Sequence, residues 1–136
     1  MSKAILMHTD GTNEVIDVPN PTHYTWYAKV IGCEWFEIIH GRNMPDSYVM
    51  IGDEEAKLKD CPLVNFQASW FYDTQDHGEP VCGDCLLMKE IEGDDGGELI
   101  GFNDDEVEEI LHMLQTYTPI AIAIIRHRLR ENLLPL

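Results

Sequence analysis

The sequence has few basic residues and no long apolar run. Its 136 residues include 9 lysines and arginines against 25 aspartates and glutamates, which gives a net charge of −16. Because nucleic acids and anionic membranes are also negatively charged, we expect the chain to bind neither of them directly. The composition instead favours basic partners, namely a cationic groove, a basic protein or a metal ion.

Membrane-spanning and export signals are also missing. The longest apolar stretch, residues 120–125, is far shorter than the roughly 18 residues that a membrane-spanning helix needs. Residues 1–12, MSKAILMHTDGT, do not show the charged and then apolar pattern of a signal peptide. These features predict a cytoplasmic protein whose four cysteines are reduced.

Catalytic motifs are scarce as well. The only serines are Ser2, Ser47 and Ser69, and none of them lies in a nucleophile elbow. The sequence contains no phosphate-binding glycine motif, and its six histidines are scattered. Since a nucleophile needs an adjacent base and no such arrangement is visible, we predict that the protein is not an enzyme.

One close pair of cysteines, Cys82 and Cys85, lies in the stretch VCGDC, whereas Cys33 and Cys61 are isolated. Structural zinc sites take four ligands, usually as two close pairs. The favoured interpretation is that these cysteines are small buried apolar side chains. A zinc site formed by all four cysteines is the second, and a redox pair is the third because a strand-like run follows Cys85 where a redox motif would open a helix.

The pattern of apolar residues predicts an α+β fold with a mostly antiparallel sheet, packed helices and a helical C-terminus. A hairpin of strands 3–8 and 13–18 is expected to open the chain, with a turn at Asp10-Gly11. A first helix then ends at Gly32, and Thr22 is its candidate N-cap. The other predicted strands are 33–41, 48–53, 81–91 and 98–103, and a second helix is predicted at 63–72.

The C-terminal part of the sequence predicts two further helices. Asn103 is expected to cap an amphipathic helix, which Pro119 breaks before a last helix at 120–132. We therefore expect a single domain at 1–136, with an α+β core at 1–118 and a C-terminal helix at 119–136.

Charge separates this last helix from the rest of the chain. Residues 1–125 carry 6 bases and 24 acids, a charge of −18, whereas residues 126–136 carry 3 bases and 1 acid, a charge of +2. One interpretation is that the helix docks on its own acidic domain. The other is a homodimer through this helix, because residues 120–125 are apolar on nearly all sides.

The strongest concentration of acids lies between residues 90 and 109, where ten acids occur without a base. Unpaired carboxylates are costly to bury, so we expect them to form an exposed negative face. This face either serves solubility alone or binds a basic partner. The candidate partner-binding residues are Glu90, Glu92, Asp94, Asp95, Glu98, Asp104, Asp105, Glu106, Glu108 and Glu109.

Three stretches together resemble a family of small proteins of unknown function found in phages, integrative elements and their bacterial hosts. They are the opening hairpin with VIGCEWFEIIH, then IGDEEAKLKDCPLVNFQA, and then VCGDCLLMKE. The resemblance covers roughly residues 1–115 and implies a compact α+β fold encoded on mobile genetic elements. It implies no catalytic residues, and no zinc site shared by the family.

Charge and resemblance together predict an acidic, non-enzymatic binding protein of a phage or mobile element. Its expected target is a basic, nucleic-acid-binding host defence protein, which it would inhibit by occupying the nucleic-acid site, as anti-CRISPR or antirestriction proteins do. One alternative is a protein that sequesters a small ligand such as a nucleotide signal. Another is an accessory protein stabilised by zinc.

Overall fold

The structure, a computed structural model, describes residues 2–59, 62–76, 78–93 and 96–130. Its strands are β1 (Lys3–Met7), β2 (Asn13–Asp17), β3 (Phe36–Ile39), β4 (Tyr48–Asp53), β5 (Cys85–Gly93) and β6 (Gly96–Ile100). Its helices are α1 (Tyr24–Ile31), α2 (Phe66–Tyr72) and α3 (Asp104–Arg130), with a short 3₁₀ turn at Ala56–Leu58. The predicted α+β fold is therefore confirmed.

All strand pairs of the sheet are antiparallel, in the order β2-β1-β5-β4-β3. β5 is the long central strand, and it pairs with β1 through residues 85–87 and with β6 through residues 89–93. The hairpin predicted at the start of the chain is confirmed as β1 and β2.

Helices cover both faces of this sheet. Successive residues of a strand point to opposite faces, and β5 shows the consequence. Leu87 packs in one buried cluster with Val107 and Ile110 of α3. Met88 packs in a second cluster with Tyr27 of α1. The molecule thus has three layers, with α1 on one side of the sheet and α2 and α3 on the other.

The start of α1 differs from the prediction. His23 rather than Thr22 is the N-cap residue, and it makes no side-chain capping bond. The Thr22 hydroxyl instead donates to the backbone carbonyl of Pro19. Thr22 therefore stabilises the loop before the helix and leaves the helix uncapped by a side chain.

The end of α1 follows the prediction and explains why the next strand is short. Gly32 ends the helix in the left-handed conformation, with φ of 80°. The backbone N–H groups of Gly32 and Cys33 both donate to the carbonyl of Ala28. Cys33 therefore still belongs to the helix terminus, and β3 begins at Phe36 instead of at the predicted residue 33.

The break predicted at Pro119 is wrong, because α3 continues through it to Arg130. A proline costs the helix the hydrogen bond to the carbonyl four residues earlier, here that of the exposed Gln115. Buried residues on both sides, Leu114 and Ala121, keep the helix on the core. The boundary predicted at residues 118 and 119 falls inside α3.

Within the described residues, no helix is long and apolar enough to cross a membrane.

The C-terminal half of α3 docks on its own domain, as one of the two interpretations predicted. Ile125 is fully buried. Arg128 Nη1 donates to the Thr74 carbonyl at 2.5 Å, and the Arg126 guanidinium lies 5.3 Å from the centre of the Phe66 ring. Packing, a hydrogen bond and a cation–π contact together hold this half in place.

Candidate functional site

The first turns of α3 carry the largest group of exposed carboxylates among the ten predicted acids. We define the α3 ridge as Asp104, Asp105, Glu108 and Glu109, all of which are exposed. Because residues three and four positions apart are neighbours on a helix, these side chains form one continuous surface. The positive end of the helix dipole lies beneath them and offsets part of their mutual repulsion.

A capping box fixes where the ridge begins. Asn103 Oδ1 accepts from the backbone N–H of Glu106 at 2.8 Å, and Glu106 Oε1 accepts from the backbone N–H of Asn103 at 3.0 Å. Reciprocal bonds of this kind satisfy two N–H groups that have no partner inside the helix. The cap predicted at Asn103 is confirmed.

Glu106 itself is not an outward-facing acid. Its two carboxylate oxygens accept from Lys89 Nζ at 2.9 and 2.8 Å, and both side chains are mostly shielded from solvent. The hydrogen bond from Lys89, followed by that from Asn103, lowers the pKa of Glu106. Lys89 also lies 5.8 Å from the centre of the Phe102 ring. Glu106 therefore serves the fold, and Lys89 is the partner that the sequence interpretation overlooked.

The predicted acids of the sheet do not share one face. Glu90 and Glu92 alternate with Lys89 along β5, so they point to the face that α1 covers. Glu98 pairs in register with Ile91 and therefore points to the opposite face. His40 Nε2 lies 3.1 Å from Glu90 Oε1. Because successive residues of a strand point to opposite faces, acids that are close together in the sequence lie on different faces of the sheet.

Two of the predicted acids, Asp94 and Asp95, lie outside the described residues. The structure accordingly describes eight of the ten candidates, of which the four ridge residues share one helical surface. Next to them is a shallow depression of about 560 Å³. It is lined by Asp105, Glu108, Glu109, Leu111, His112 and Gln115.

The described cysteines do not assemble a zinc site. Cys82 is buried just before β5 and Cys85 is buried as its first residue, whereas Cys33 follows the end of α1, and Cys61 is outside the described residues. In the described part of the chain, no group of three or more His, Cys, Asp or Glu side chains is placed to hold a metal ion. Burial raises the pKa of the thiols of Cys82 and Cys85, which opposes the thiolate form that zinc requires.

The VCGDC stretch is instead a buried turn that one asparagine organises. Gly83 has φ of 83°, so the strand predicted from residue 81 begins only at Cys85. Asn65 Nδ2 donates to the carbonyls of Met7 and Gly83, each at 2.9 Å. Asn65 Oδ1 accepts from the N–H of Ala68 at 3.0 Å and caps α2. Asn65 is fully buried and thereby joins β1, the turn and α2.

The sequence contains a signal for this role of Asn65. An asparagine three residues before Ala68 and directly ahead of an apolar run is a typical helix N-cap. The predicted start of the second helix at residue 63 is therefore wrong, because the capped helix begins at Phe66.

His8 connects the same turn to the opening hairpin. Its Nδ1 lies 2.9 Å from Asp84 Oδ2, and its Nε2 lies 3.2 Å from Glu14 Oε1. Asp84 Oδ1 also accepts from the backbone N–H of Thr9 at 3.0 Å. The hydrogen bond that His8 donates to Asp84 is the main reason that the pKa of His8 is raised. Since both ring nitrogens are engaged, His8 is not placed to act as a general base.

A cleft of about 760 Å³ lies where β3 and β4 approach the loop before β5. Glu37, Glu54 and Glu79 are among its lining residues, and its one described lysine, Lys57, is paired with Glu79 at 2.7 Å. Burial is the main reason that the pKa of Glu37 is raised, and the negative charge of Glu54 raises it further. A cleft with this lining repels phosphate, which speaks against the nucleotide-sequestering alternative.

Comparison with known proteins gives a family and no activity. No curated protein and no solved structure matches the chain. The resemblance to a family of small proteins of unknown function is confirmed. The match includes the ridge and the turn organised by Asn65 but ends before the C-terminal half of α3. Residues 1–115 match the family described as a domain of unknown function, DUF3846, and the chain belongs to that family.

Proposed function

We propose that this protein is a non-enzymatic binding protein that uses the α3 ridge to occupy a basic, nucleic-acid-binding groove on another protein. The observation that carries the proposal is the density of exposed carboxylates at the start of α3. By excluding nucleic acid from the groove, the protein inhibits its target.

The charge density of the ridge is about two thirds of that of duplex DNA. Between Asp104 and Glu109 the helix axis rises by about 7.5 Å, at about 1.5 Å per residue. The four ridge carboxylates are separated by three intervals over this distance, so they supply one negative charge per about 2.5 Å. Duplex DNA carries one negative charge per about 1.7 Å of its axis. A groove that binds DNA through its phosphates thus meets a comparable, less dense line of charge on α3.

The ridge also has little internal compensation. Lys89 is held by Glu106 and lies over Phe102, so it does not neutralise the ridge. None of the four ridge acids forms an ion pair with another of the described residues. These carboxylates are available for the cations of a partner.

The net charge of −16 supports the same mechanism at longer range. A strongly negative protein approaches a positive groove faster than a neutral one, and salt screens this attraction. We therefore propose that the affinity falls steeply as the salt concentration rises.

The resemblance to proteins of phages and mobile elements supports the biological setting. An element that enters a bacterium benefits from blocking host proteins that bind its nucleic acid, so we propose a host defence protein, such as a nuclease, as the target. The site of action is then the cytoplasm, where such proteins meet foreign nucleic acid.

Retention of host proteins on the immobilised chain tests this proposal. Lysate is applied at low and at high salt, and the bound fraction is then challenged with duplex DNA. We expect a basic nucleic-acid-binding protein to be retained at low salt and released by high salt and by DNA. Retention of no such protein, or a complex that DNA leaves intact, would contradict the proposal.

A matched pair of variants separates the ridge from net charge. In the first, Asp105, Glu108 and Glu109 are each replaced with lysine, and in the second, Glu34, Glu54 and Glu55 are replaced in the same way. All six side chains are exposed, and both variants change the net charge by the same amount. Glu54 directly follows the six-residue strand β4. At about 3.3 Å per residue it lies about 20 Å from Tyr48, the residue near Glu109 at the other end of the strand.

We expect the affinity of the ridge variant for the partner to fall more than about 100-fold, because three attractions between ridge carboxylates and partner cations become repulsions. The control variant is expected to lose about 10-fold or less, through weaker long-range attraction alone. Equal losses in the two variants would show that net charge and not the ridge determines binding.

A further inference from the structure

An apolar stripe runs along the exposed side of α3. Tyr117, Ile120 and Ile124 are 47, 48 and 39% exposed. Met113, one turn before Tyr117, is partly buried against the core. We define the α3 seam as Met113, Tyr117, Ile120 and Ile124.

The seam is separate from the face that docks α3 on its domain. Leu114, Ala121 and Ile125 are almost fully buried and hold the helix on the core. The seam lies about a quarter of a turn round the helix from them, since each residue advances by about 100°. No described residue covers the exposed parts of the Ile120 and Ile124 side chains.

The spacing of the seam is that of a coiled coil. Its residues follow one another at intervals of 4, 3 and 4, which is the heptad pattern of two helices packed side by side. Thr116 and Ala123, on the outer edge of the seam, are exposed and small. Small residues at this edge allow a second helix to approach to about 8–10 Å.

We propose that the seam is a homodimer interface, in which the α3 helices of two copies pack antiparallel. The occupant is a second copy because α3 is complementary to itself in charge. Its N-terminal half carries Glu108 and Glu109, and its C-terminal half ends with the exposed Arg130. In a two-fold dimer the same surface of both copies forms the interface, so the acidic end of one helix must face the basic end of the other. The charges of α3 meet this condition.

The register of the proposed dimer follows from the seam. If the two-fold axis passes between Tyr117 and Ile120, each Tyr117 meets the other chain's Ile120, and each Met113 meets its Ile124. Arg130 then lies within about 3 Å along the axis of the other chain's Glu108 and Glu109, at about 1.5 Å per residue. A parallel pair would instead place Glu109 beside Glu109, which is unfavourable.

The dimer goes beyond the proposed function and depends mainly on a part of the chain that the family match does not include. The match ends at residue 115, before Tyr117, Ile120 and Ile124. The dimer also uses Glu108 and Glu109 of the ridge, but oligomeric state is measured without any partner, so its failure is distinguishable from failure of the partner-binding proposal.

Sedimentation equilibrium of the full chain tests the dimer at about 0.15 M salt, where charges further apart than about 8 Å are screened. The test variant is Ile120→Ser with Ile124→Ser. The control is Leu58→Ser with Leu63→Ser, which removes two leucines that are 81 and 64% exposed elsewhere. Circular dichroism verifies that each variant remains folded.

We expect wild type and control to show a monomer–dimer equilibrium with equal dissociation constants. The seam variant should dissociate with a constant raised more than about 100-fold, because four isoleucines per dimer leave the interface. A wild-type chain that stays monomeric at all concentrations would overturn the proposal. A seam variant that dimerises as well as the control would overturn it too.

A charge exchange tests the antiparallel arrangement. Arg130→Glu is expected to weaken the dimer about 10-fold, and the double variant Glu109→Arg with Arg130→Glu to recover it, because the pair is restored with reversed signs. A dimer that Arg130→Glu leaves unchanged, or that the second substitution does not recover, would overturn the antiparallel arrangement.

Discussion

The two halves of α3 share one helix and differ in almost every surface property. Up to Gln115 the exposed positions are mostly acidic, and the helix is anchored through Val107, Ile110 and Leu114. After Pro119 the exposed positions are apolar or basic, and Ile125 is the main anchor. The first half lies within the family match, and the second half lies almost entirely outside it.

This contrast shows that anchoring and surface are independent properties of a helix. Both halves bury one face on the same domain, the first against the sheet and the second beside α2, and that shared requirement determines only about a third of the positions. The remaining positions are free to differ, which lets the first half carry the ridge and the second half carry the seam.

The largest expected effect comes from the anchor of the second half. Ile125→Ala should reduce the free energy of unfolding by about 2–4 kcal/mol, because a fully buried side chain leaves a cavity. Ile124→Ala, one position earlier and 39% exposed, should cost less than about 0.5 kcal/mol in dilute solution. Urea unfolding of both variants measures the difference, and similar losses would mean that the second half is not docked as described.

A smaller effect is expected at the start of the first half. Asn103→Ala removes the cap from Glu106 and should cost about 1 kcal/mol. Asn103→Ser retains a capping side chain and should recover most of this loss. If thermal unfolding shows no difference between the alanine and serine variants, the capping box does not contribute to stability.

The smallest effect concerns pH and the pair of Glu106 with Lys89. The pKa of Glu106 is lower in the folded chain than in the unfolded chain, so its ionised form stabilises the fold. That contribution is complete above the pKa of the unfolded chain and is lost as pH falls through the lower pKa of the folded chain. Because the pair is partly exposed, it amounts to less than about 1 kcal/mol.

The variant Glu106→Gln isolates this contribution, since glutamine also completes a capping box. Wild type should exceed the variant in stability at about pH 7, and the two should converge towards about pH 3. Chemical unfolding at several pH values measures this difference. A gap that stays constant over the whole range would assign the effect to packing and not to charge.

Local signals were sufficient for much of the fold. The opening hairpin, the end of α1 at Gly32 and the start of α3 at Asn103 each depend on one or two residues with strong backbone preferences. Pro119 shows the limit of such signals. Proline disfavours a helix locally, but buried contacts on both sides, made by Leu114 and Ala121, outweigh the lost hydrogen bond.

The candidate site was predictable only in part. The sequence shows where charged residues occur along the chain, but the folded structure determines which of them are exposed and on which face they lie. Acids three or four positions apart on α3 do form one surface, as expected. Acids of β5 and β6 are divided by the alternation of strands, as Glu90 and Glu98 show. The pairing of Glu106 with Lys89 joins residues 17 positions apart, and nothing in the local sequence indicates it.

Pro119 has a further consequence for the motion of α3. A proline has no amide hydrogen, so the ladder of helix hydrogen bonds has a gap at the point where the two halves meet. Amide hydrogen exchange therefore should resolve two cooperative units, with the amides after Pro119 opening apart from those before it. Opening of the second half in this way would leave the first half packed on the sheet.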